Sequence, residues 1–536
     1  MESAVVPVAE RQRASSARLV TRYTWVMFVI ATCLGVLWSL ASPVFGVPDE
    51  ASHFYKGAAQ VRGQVIGKTV PGIKHIVVDV PPGDEYSPNL VCFAFQPTQP
   101  GNCDGVQLGD EKTGTTYATQ VGAYNPIYYY IVGWPSLFIT GNAAVYAMRI
   151  MGALLAAALI ACAFRYSLLS RCSWLPASVA FILAPMNMFL IGAVNPNGAE
   201  IAAGAAFWIS SLVLFTTPIT GRERVWLWAT VVVSGVLLAN ARALGPLWVG
   251  FIVVVVVIVA GWRSTRHMFT RRSSWVPIGI LAAGGVFSCA WTVIGGSLSA
   301  QAEPNDAPLV GGSFASGFAY MLKATPNFII QAVGVFGWLD TALVPTLYWV
   351  YAAAVGALVV WAFVTASRRS AIILALLSLA VVLLPALIQA RSVSQTGIIW
   401  QGRYGTVLYL GVVIVAAYFA GRPRVLSPTV DASGLQVSAV GAGSPWSVER
   451  YTQRATAWVA SLVAAFGCVA FVHTLHRYVV GADGMVGKMF RAPLWQPPGG
   501  WMALSALYLV VSVVAVIVLA RSVTLAQRSA TEASVP

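Results

Sequence analysis

The sequence predicts an all-α polytopic membrane protein of about twelve transmembrane helices with one large loop on the outer side. Of its 536 residues, 57% are hydrophobic and only 10% are charged, which excludes a set of soluble domains. A helix needs about 20 mostly apolar residues to cross a bilayer. The segments that meet this requirement are 23–41, 142–165, 174–194, 198–217, 225–243, 245–262, 275–296, 345–364, 370–388, 404–421, 455–473 and 501–520.

The distribution of charge orients these spans. The first span follows a basic amino end and precedes the poor cleavage site 42–44, so we predict an uncleaved anchor. If both termini are cytoplasmic, the whole excess of the +14 net charge lies in inner segments such as 263–272, as the positive-inside rule expects. The charge therefore does not indicate a nucleic-acid partner. The expected location is the cell membrane, with the functional face outside.

One further apolar segment, 124–140, is read as a juxtamembrane helix and not as a span. If it crossed the bilayer, every later loop would change sides and most inner arginines would face outward. Its tyrosines and Trp134 are residues that favour the headgroup region. The first outer loop would then contain interfacial helices.

The spans divide the chain into a membrane core and shorter flanking parts. We predict a cytoplasmic tail at 1–22 and a membrane core at 23–421, with long outer loops at 42–141 and 297–344. A Gly/Ser-rich cytoplasmic linker at 422–454, two C-terminal spans within 455–520 and a disordered tail at 521–536 follow. Cys92 and Cys103 both lie in the first outer loop, and we expect them to form a disulfide outside the cytoplasm.

The run Val-Pro-Asp-Glu-Ala-Ser-His at 47–53 is the strongest indication of chemistry. Asp49, Glu50 and His53 lie just after the first span, and a helix starting there would bring them together within one turn facing water. Such an acid and base cluster suits an enzyme that acts on a lipid-borne substrate, and these three side chains could also share a divalent metal. The alternatives are that the carboxylates compensate the helix dipole and that His53 is a packed interfacial residue.

Arginines at predicted outer helix ends could bind a phosphate. Arg403 lies in the segment Trp-Gln-Gly-Arg-Tyr, with Gln401 and Tyr404 beside it, and Arg242 lies in a tight outer turn. A guanidinium can hold a phosphate with two hydrogen bonds. Any one of these arginines could instead anchor a headgroup, and the sequence does not show that they converge.

Several residues are secondary candidates. Glu200 is an ionisable group predicted one turn inside a span, which marks a functional candidate unless it reaches the interface. Asp340 precedes the eighth span, where a capping role is the favoured reading. The remaining secondary candidates are the outer residues Asn197, Arg391 and Lys323.

Taken together, these segments resemble a known bacterial family. The segments VPDEASHF, YNPIYYY, FGWLDT and QGRY are similar to the membrane family called domain of unknown function 2142, over roughly residues 30–420. That family more distantly resembles the GT-C glycosyltransferases, which take a sugar from a polyprenyl-phosphate carrier on the outer side. The resemblance implies that Asp49 is the catalytic base or a metal contact. A carboxylate expected after the third span is replaced here by Asn197, and Glu200 is the nearest acid.

We therefore expect a membrane enzyme that transfers a sugar from a polyprenyl-phosphate donor to a cell-envelope glycan or lipid. Asp49 would be the general base, Glu50 and His53 would orient it, and Arg403 with Arg242 would stabilise the phosphate that leaves. The alternatives are a transporter or flippase of envelope lipid and a non-catalytic assembly protein. A transporter would carry ionisable groups near the bilayer midplane, whereas an assembly protein would tolerate substitution of Asp49.

Overall fold

A computed structural model of the chain describes residues 8–110, 115–170, 172–296, 307–421, 429–430, 436–437 and 445–532. These residues form an all-helical membrane protein with only three two-stranded sheets among them. Ten of the described helices are long and apolar enough to cross a membrane, or eleven if a bent pair counts as one span. The predicted fold class is confirmed, with fewer continuous spans than the expected twelve.

The helices fall into three stretches of the chain. The first stretch contains α1 Val8–Ala41, α2 Glu50–Gln60, α3 Pro126–Gly133, α4 Gly141–Leu169, α5 Leu175–Ile182, α6 Pro185–Ile191 and α7 Pro196–Thr216. The second contains α8 Gly221–Ala241, α9 Gly245–Ala260, α10 Trp262–Thr270, α11 Trp275–Ile294 and α12 Phe314–Gly334. The third contains α13 Pro345–Thr365, α14 Arg368–Thr396, α15 Thr406–Ala420, α16 Pro445–Val480, α17 Val486–Arg491 and α18 Trp501–Glu532.

The strands are short and pair as antiparallel hairpins. They are β1 Ile76–Asp79 with β2 Thr116–Thr119, β3 Val335–Phe336 with β4 Thr341–Ala342, and β5 Thr429–Val430 with β6 Gln436–Val437. The first hairpin belongs to the loop 42–141, and the second joins α12 to α13. Single 3-10 turns lie at Pro88–Val91, Cys103–Gly105, Trp134–Leu137, Arg272–Ser274 and Gly402–Gly405.

Two of the predicted spans are not continuous helices. The segment 174–194 is divided into α5 and α6, because Ala184 is extended (φ −58°, ψ 149°) before Pro185, and a residue that precedes proline avoids the helical region. The segment 245–262 is the 16-residue α9, which ends at Gly261 with a positive φ of 81°. The chain then turns by 113° into α10.

Helix α12 lies inside the predicted outer loop 297–344 and was not expected. It contains polar residues such as Lys323 and Gln331, and it is not among the helices apolar enough to span a membrane. Its amino end is held beside the end of α14, where Gly311 donates a backbone hydrogen bond to Ser394. At its other end Gln331 accepts a hydrogen bond from the Gly402 amide at 3.0 Å.

The segment 124–140 forms α3 and one 3-10 turn, as predicted for a juxtamembrane element. Its helix has 8 residues, which is too short to cross a bilayer. Beyond the last predicted span, α18 continues to Glu532. Most of the predicted linker 422–454 lies outside the described residues.

The helices differ greatly in how much of their surface is buried. In α7, 94% of the most apolar stretch is buried inside the protein, whereas in the segment Arg272–Ile294, which includes α11, the share is 6%. Around the inner helices, the indole of Trp38 stacks on Phe336 at 5.4 Å and meets Phe471 edge-on at 5.0 Å. Helix α7 is therefore central, and α11 lies at the periphery of the bundle, where its apolar surface could contact lipid.

The long loop 42–141 covers one end of the bundle, hereafter the first-loop end. The predicted disulfide between Cys92 and Cys103 is present. Arg477 of α16 donates hydrogen bonds to the carbonyls of Phe93, Gln96 and Gln99 in this loop. The C-terminal helices thus hold the loop in place.

Candidate functional site

Asp49 is the residue from which the site is built. It precedes α2 with a left-handed backbone (φ 66°, ψ 0°), and its side chain makes no capping hydrogen bond to that helix. A residue other than glycine rarely adopts this conformation, which tends to occur at functional sites. About a third (32%) of the Asp49 side chain is exposed.

Two side chains from distant parts of the chain hold the Asp49 carboxylate. Oδ2 accepts a hydrogen bond from Nη2 of Arg403, and Oδ1 accepts one from Nε2 of Gln120 at 3.2 Å. Arg403 lies in the 3-10 turn before α15 and is only 5% exposed. Gln120 follows strand β2, and its Oε1 accepts a hydrogen bond from Ser52 of α2.

Arg242 is the second cation of the site and follows the last residue of α8. Nη1 of Arg242 donates to Oδ1 of Asn197, and the guanidinium lies over the ring of Tyr404 at 4.0 Å. Burial disfavours its charge, but the neighbouring groups of Tyr404, Tyr124 and Glu200 outweigh this effect and raise the pKa of Arg242. The side chain is therefore a permanent cation that stacks on an aromatic ring.

His53 lies behind these charges and is almost fully buried. Its Nδ1 is 2.7 Å from the Tyr129 hydroxyl. Burial lowers the pKa of His53 to about 3; Asp49 acts in the opposite direction, and Arg242 and Arg403 lower it further. The imidazole is consequently neutral. Arg242 and Arg403 both lie against the ring of Tyr404, at 4.0 and 5.5 Å, and Arg403 donates to Asp49, so the three charged groups converge on one place.

Glu50 faces away from this place and forms a buried ion pair. Its two carboxylate oxygens accept hydrogen bonds from Nε and Nη2 of Arg149 at 2.7 and 2.6 Å, and neither side chain has any exposed surface. The Val194 amide also donates to Glu50. Arg149 further donates to the backbone carbonyls of Ser39, Ser42 and Pro43. The pair thus joins the end of α1 to α2 and α4.

The three side chains of the 47–53 run therefore do not face water together. The predicted helix start is confirmed, since α2 begins at Glu50. Of the three side chains, only that of Asp49 is accessible, because every residue of α2 is buried. Among the described residues, no group of three or more His, Cys, Asp or Glu side chains could hold a metal ion.

The other predicted residues divide into those near the site and those away from it. Glu200 is buried in the first turns of α7, within electrostatic reach of Arg242. Gln401 and Tyr404 flank Arg403, and the buried atom Oε1 of Gln401 has no hydrogen-bond partner among the described residues. Lys323 and Arg391 are exposed side chains.

Asp340 has a structural role that differs from the one predicted. The cap position of α13 is Val344, so Asp340 does not cap that helix. Its Oδ2 accepts a hydrogen bond from Arg477 at 3.0 Å, and its Oδ1 accepts one from Thr341 at 2.9 Å. The reason is the hairpin β3–β4, which places Asp340 in its turn against α16.

Sequence reasoning did not select four residues that the structure brings to the site or beneath it: Gln120, Tyr124, Tyr129 and Arg149. Arg149 could have been found, because it is an ionisable residue inside the predicted span 142–165, and such residues mark functional or structural sites. Gln120 and the tyrosines carry no comparable signal, since polar and aromatic residues are common throughout the loop.

The fold and the site define a class: a polytopic helical membrane protein whose first-loop end holds one accessible carboxylate between two arginines. The chain belongs to the family described as predicted membrane protein DUF2142, whose model matches residues 33–410. That range contains Asp49, Arg242 and Arg403 and ends before α16. No curated protein and no solved structure matches the chain.

Proposed function

We propose that this protein is a glycosyltransferase of the cell membrane that moves a sugar from a polyprenyl-phosphate donor to a hydroxyl of an envelope glycan or lipid. The observation that carries the proposal is the convergence of Asp49, Arg403 and Arg242 at the first-loop end, where both guanidinium groups lie against the ring of Tyr404 and Arg403 donates to Asp49. In this proposal both termini are cytoplasmic and the first-loop end lies outside. The distant GT-C resemblance points in the same direction.

The proposed reaction assigns one role to each charged group. The acceptor oxygen attacks the anomeric carbon of the sugar, and the bond between that carbon and the phosphate oxygen breaks. Asp49 takes the proton of the acceptor hydroxyl as general base. The electron pair of the broken bond stays with the polyprenyl phosphate, whose negative charge Arg403 and Arg242 stabilise.

The pairing of Asp49 with Arg403 suggests how donor binding would prepare the base. A phosphate is a strong partner for a guanidinium, so it would compete with Asp49 for Arg403. Once Arg403 turned to the phosphate, the carboxylate would be available to the acceptor. The Gln120 amide would continue to orient it through Oδ1.

Two buried polar atoms support a ligand at this place. Nε of Arg403 and Oε1 of Gln401 have no hydrogen-bond partner among the described residues. Leaving such a group unpaired costs roughly 1–3 kcal/mol. A phosphate oxygen could accept a hydrogen bond from Arg403 Nε, and a sugar hydroxyl could donate one to Gln401.

The test compares wild-type protein with Asp49→Asn and a matched control, Asp79→Asn. Asp79 lies in the same loop but forms an exposed pair with Lys68, with Nζ and Oδ2 3.0 Å apart. Each purified protein is offered radiolabelled polyprenyl-phosphate sugars with envelope acceptors. We expect transfer by wild type and Asp79→Asn, and a loss on the order of 10²–10⁴-fold in Asp49→Asn.

Other results would change the assignment. Equal transfer by Asp49→Asn would remove this carboxylate from the mechanism. Absence of transfer across the panel, combined with movement of lipid across proteoliposome membranes, would favour a transporter. The structural feature that fits a transporter is Glu200, an ionisable residue buried within α7. Absence of both activities would favour an assembly protein.

A further inference from the structure

An apolar groove runs between α9 and α11 on the membrane-facing side of the protein. It has a volume of about 500 Å³ and is lined from α9 by Pro246 and Val249 and from α11 by residues that include Ala282, Gly285, Cys289 and Val293. The α11 residues recur every three or four positions and so form one face of that helix. No lining side chain is charged.

One end of the groove lies beside the turn that carries Arg242. Pro246 is the second residue of α9, which follows the turn that contains Arg242, and the Gly245 amide donates to the Arg242 carbonyl at 2.9 Å. On the other side, the indole of Trp291 in α11 donates to the Ala123 carbonyl at 3.0 Å. Ala123 precedes Tyr124, which lies within electrostatic reach of Arg242.

We propose that this groove binds the chain of a polyprenyl phosphate, with the phosphate at Arg242. This inference rests on the donor class of the proposed function and adds the place where the donor's lipid binds. The chain would enter sideways from the bilayer, since α11 lies at the periphery of the bundle. The apolar walls of the groove match an isoprenoid, and Arg242, in the turn beside one end of the groove, matches a phosphate.

A polyprenyl chain fits the groove better than a phospholipid for two reasons. The groove lies between one pair of helices, where one chain can lie along it, and a polyprenyl phosphate has one chain where a phospholipid has two. Small residues such as Ala282 and Gly285 leave hollows along α11, and the methyl branches of an isoprenoid can fill them. Close packing of this kind adds many weak contacts.

The test uses two glycines of α11 that differ only in their position relative to the groove. Gly285 lines the groove, whereas Gly279 lies six residues earlier on the same helix and does not. A Cβ at either position would meet no neighbouring heavy atom within 4 Å. Gly285→Leu should therefore fill the groove, and Gly279→Leu should leave it open, without disturbing the helix packing in either variant.

Binding of undecaprenyl phosphate is measured by native mass spectrometry in detergent, with phosphatidylglycerol as the comparison lipid. We expect at least tenfold weaker retention of undecaprenyl phosphate in Gly285→Leu, wild-type retention in Gly279→Leu, and equal retention of phosphatidylglycerol by all three proteins. Equal retention of undecaprenyl phosphate by both variants would overturn the proposal. So would an equal loss of both lipids in Gly285→Leu, which would indicate ordinary boundary phospholipid.

This readout separates the groove from the proposed chemistry, because binding does not require transfer. If retention of undecaprenyl phosphate is lost in Gly285→Leu but no protein transfers sugar, the groove is a lipid-binding site and the proposed transferase activity is wrong. If Gly285→Leu transfers sugar at the wild-type rate at limiting donor, the protein is a transferase but its donor does not bind in the groove.

Discussion

Nη2 of Arg403 donates a hydrogen bond to Oδ2 of Asp49 across 354 residues of sequence. The arginine is buried, whereas a third of the carboxylate side chain is exposed. The contact therefore places a fixed cation beneath an accessible acid. The contact also holds the segment before α15 against the start of α2. A phosphate that bound to Arg403 would therefore affect both segments.

Arg403→Lys tests whether the planar guanidinium is needed. Lysine keeps the charge but cannot offer two parallel hydrogen bonds to a phosphate. We expect the KM for the polyprenyl-phosphate donor to rise about tenfold or more, measured by initial rates of transfer. Arg391→Lys is the control, because Arg391 is exposed, and its KM should equal that of wild type. An unchanged KM in Arg403→Lys would contradict phosphate binding at this residue.

Glu50→Gln tests the buried ion pair with Arg149. Removing one charge leaves the other buried and uncompensated, which costs on the order of 3–5 kcal/mol. We expect a clear drop of the unfolding temperature in detergent. Lys68→Ala breaks the exposed pair with Asp79 and should cost at most about 1 kcal/mol. A stable Glu50→Gln protein that lost transfer would instead give Glu50 a role in the chemistry.

The burial of His53 predicts a pH dependence of stability. Its pKa is lowered from 6.5 to about 3 in the folded protein, so below pH 6.5 the unfolded chain binds a proton that the folded protein does not. Stability contributed by the neutral imidazole is complete above pH 6.5 and falls by about 1.4 kcal/mol per pH unit as the pH decreases toward 3. His53→Gln should show a weaker dependence of the unfolding temperature between pH 7.5 and 5. Parallel curves for the two proteins would contradict this account.

The disulfide predicts a loss of stability on removal. Cys92 and Cys103 close a short segment of the first loop, and a crosslink of this kind contributes about 2–4 kcal/mol. The double variant Cys92→Ser/Cys103→Ser should unfold at a lower temperature than wild type. Cys289→Ser changes an exposed free thiol and should unfold as wild type does. Identical temperatures for all three proteins would show that the crosslink does not stabilise the loop.

Arg477→Met tests whether the C-terminal helices hold the first loop. The substitution keeps an apolar stem but removes the partner of Asp340 and of three loop carbonyls. We expect faster proteolysis of the loop around residues 93–99. Arg454→Met on the same helix is the control, since the Arg454 side chain is not buried. Equal cleavage rates would show that the Arg477 side chain is not needed to hold the loop.

Much of the architecture is local and could be read from the sequence. The ten long apolar helices found in the described parts of the chain, the short α3 and the start of α2 depend on runs of neighbouring residues. The Cys92–Cys103 disulfide depends on two cysteines that share a loop. In each case the deciding physics acts over a few residues, so the pattern along the chain is sufficient.

The arrangement of the site was decided only by tertiary structure. Asp49, Arg242 and Arg403 were each candidates, but their meeting depends on how α2, α8 and α15 pack. The same packing turned Glu50 toward Arg149, 99 residues away, and Asp340 toward Arg477. A buried charge takes whichever partner the folded chain brings within hydrogen-bond distance, and no local pattern specifies that partner.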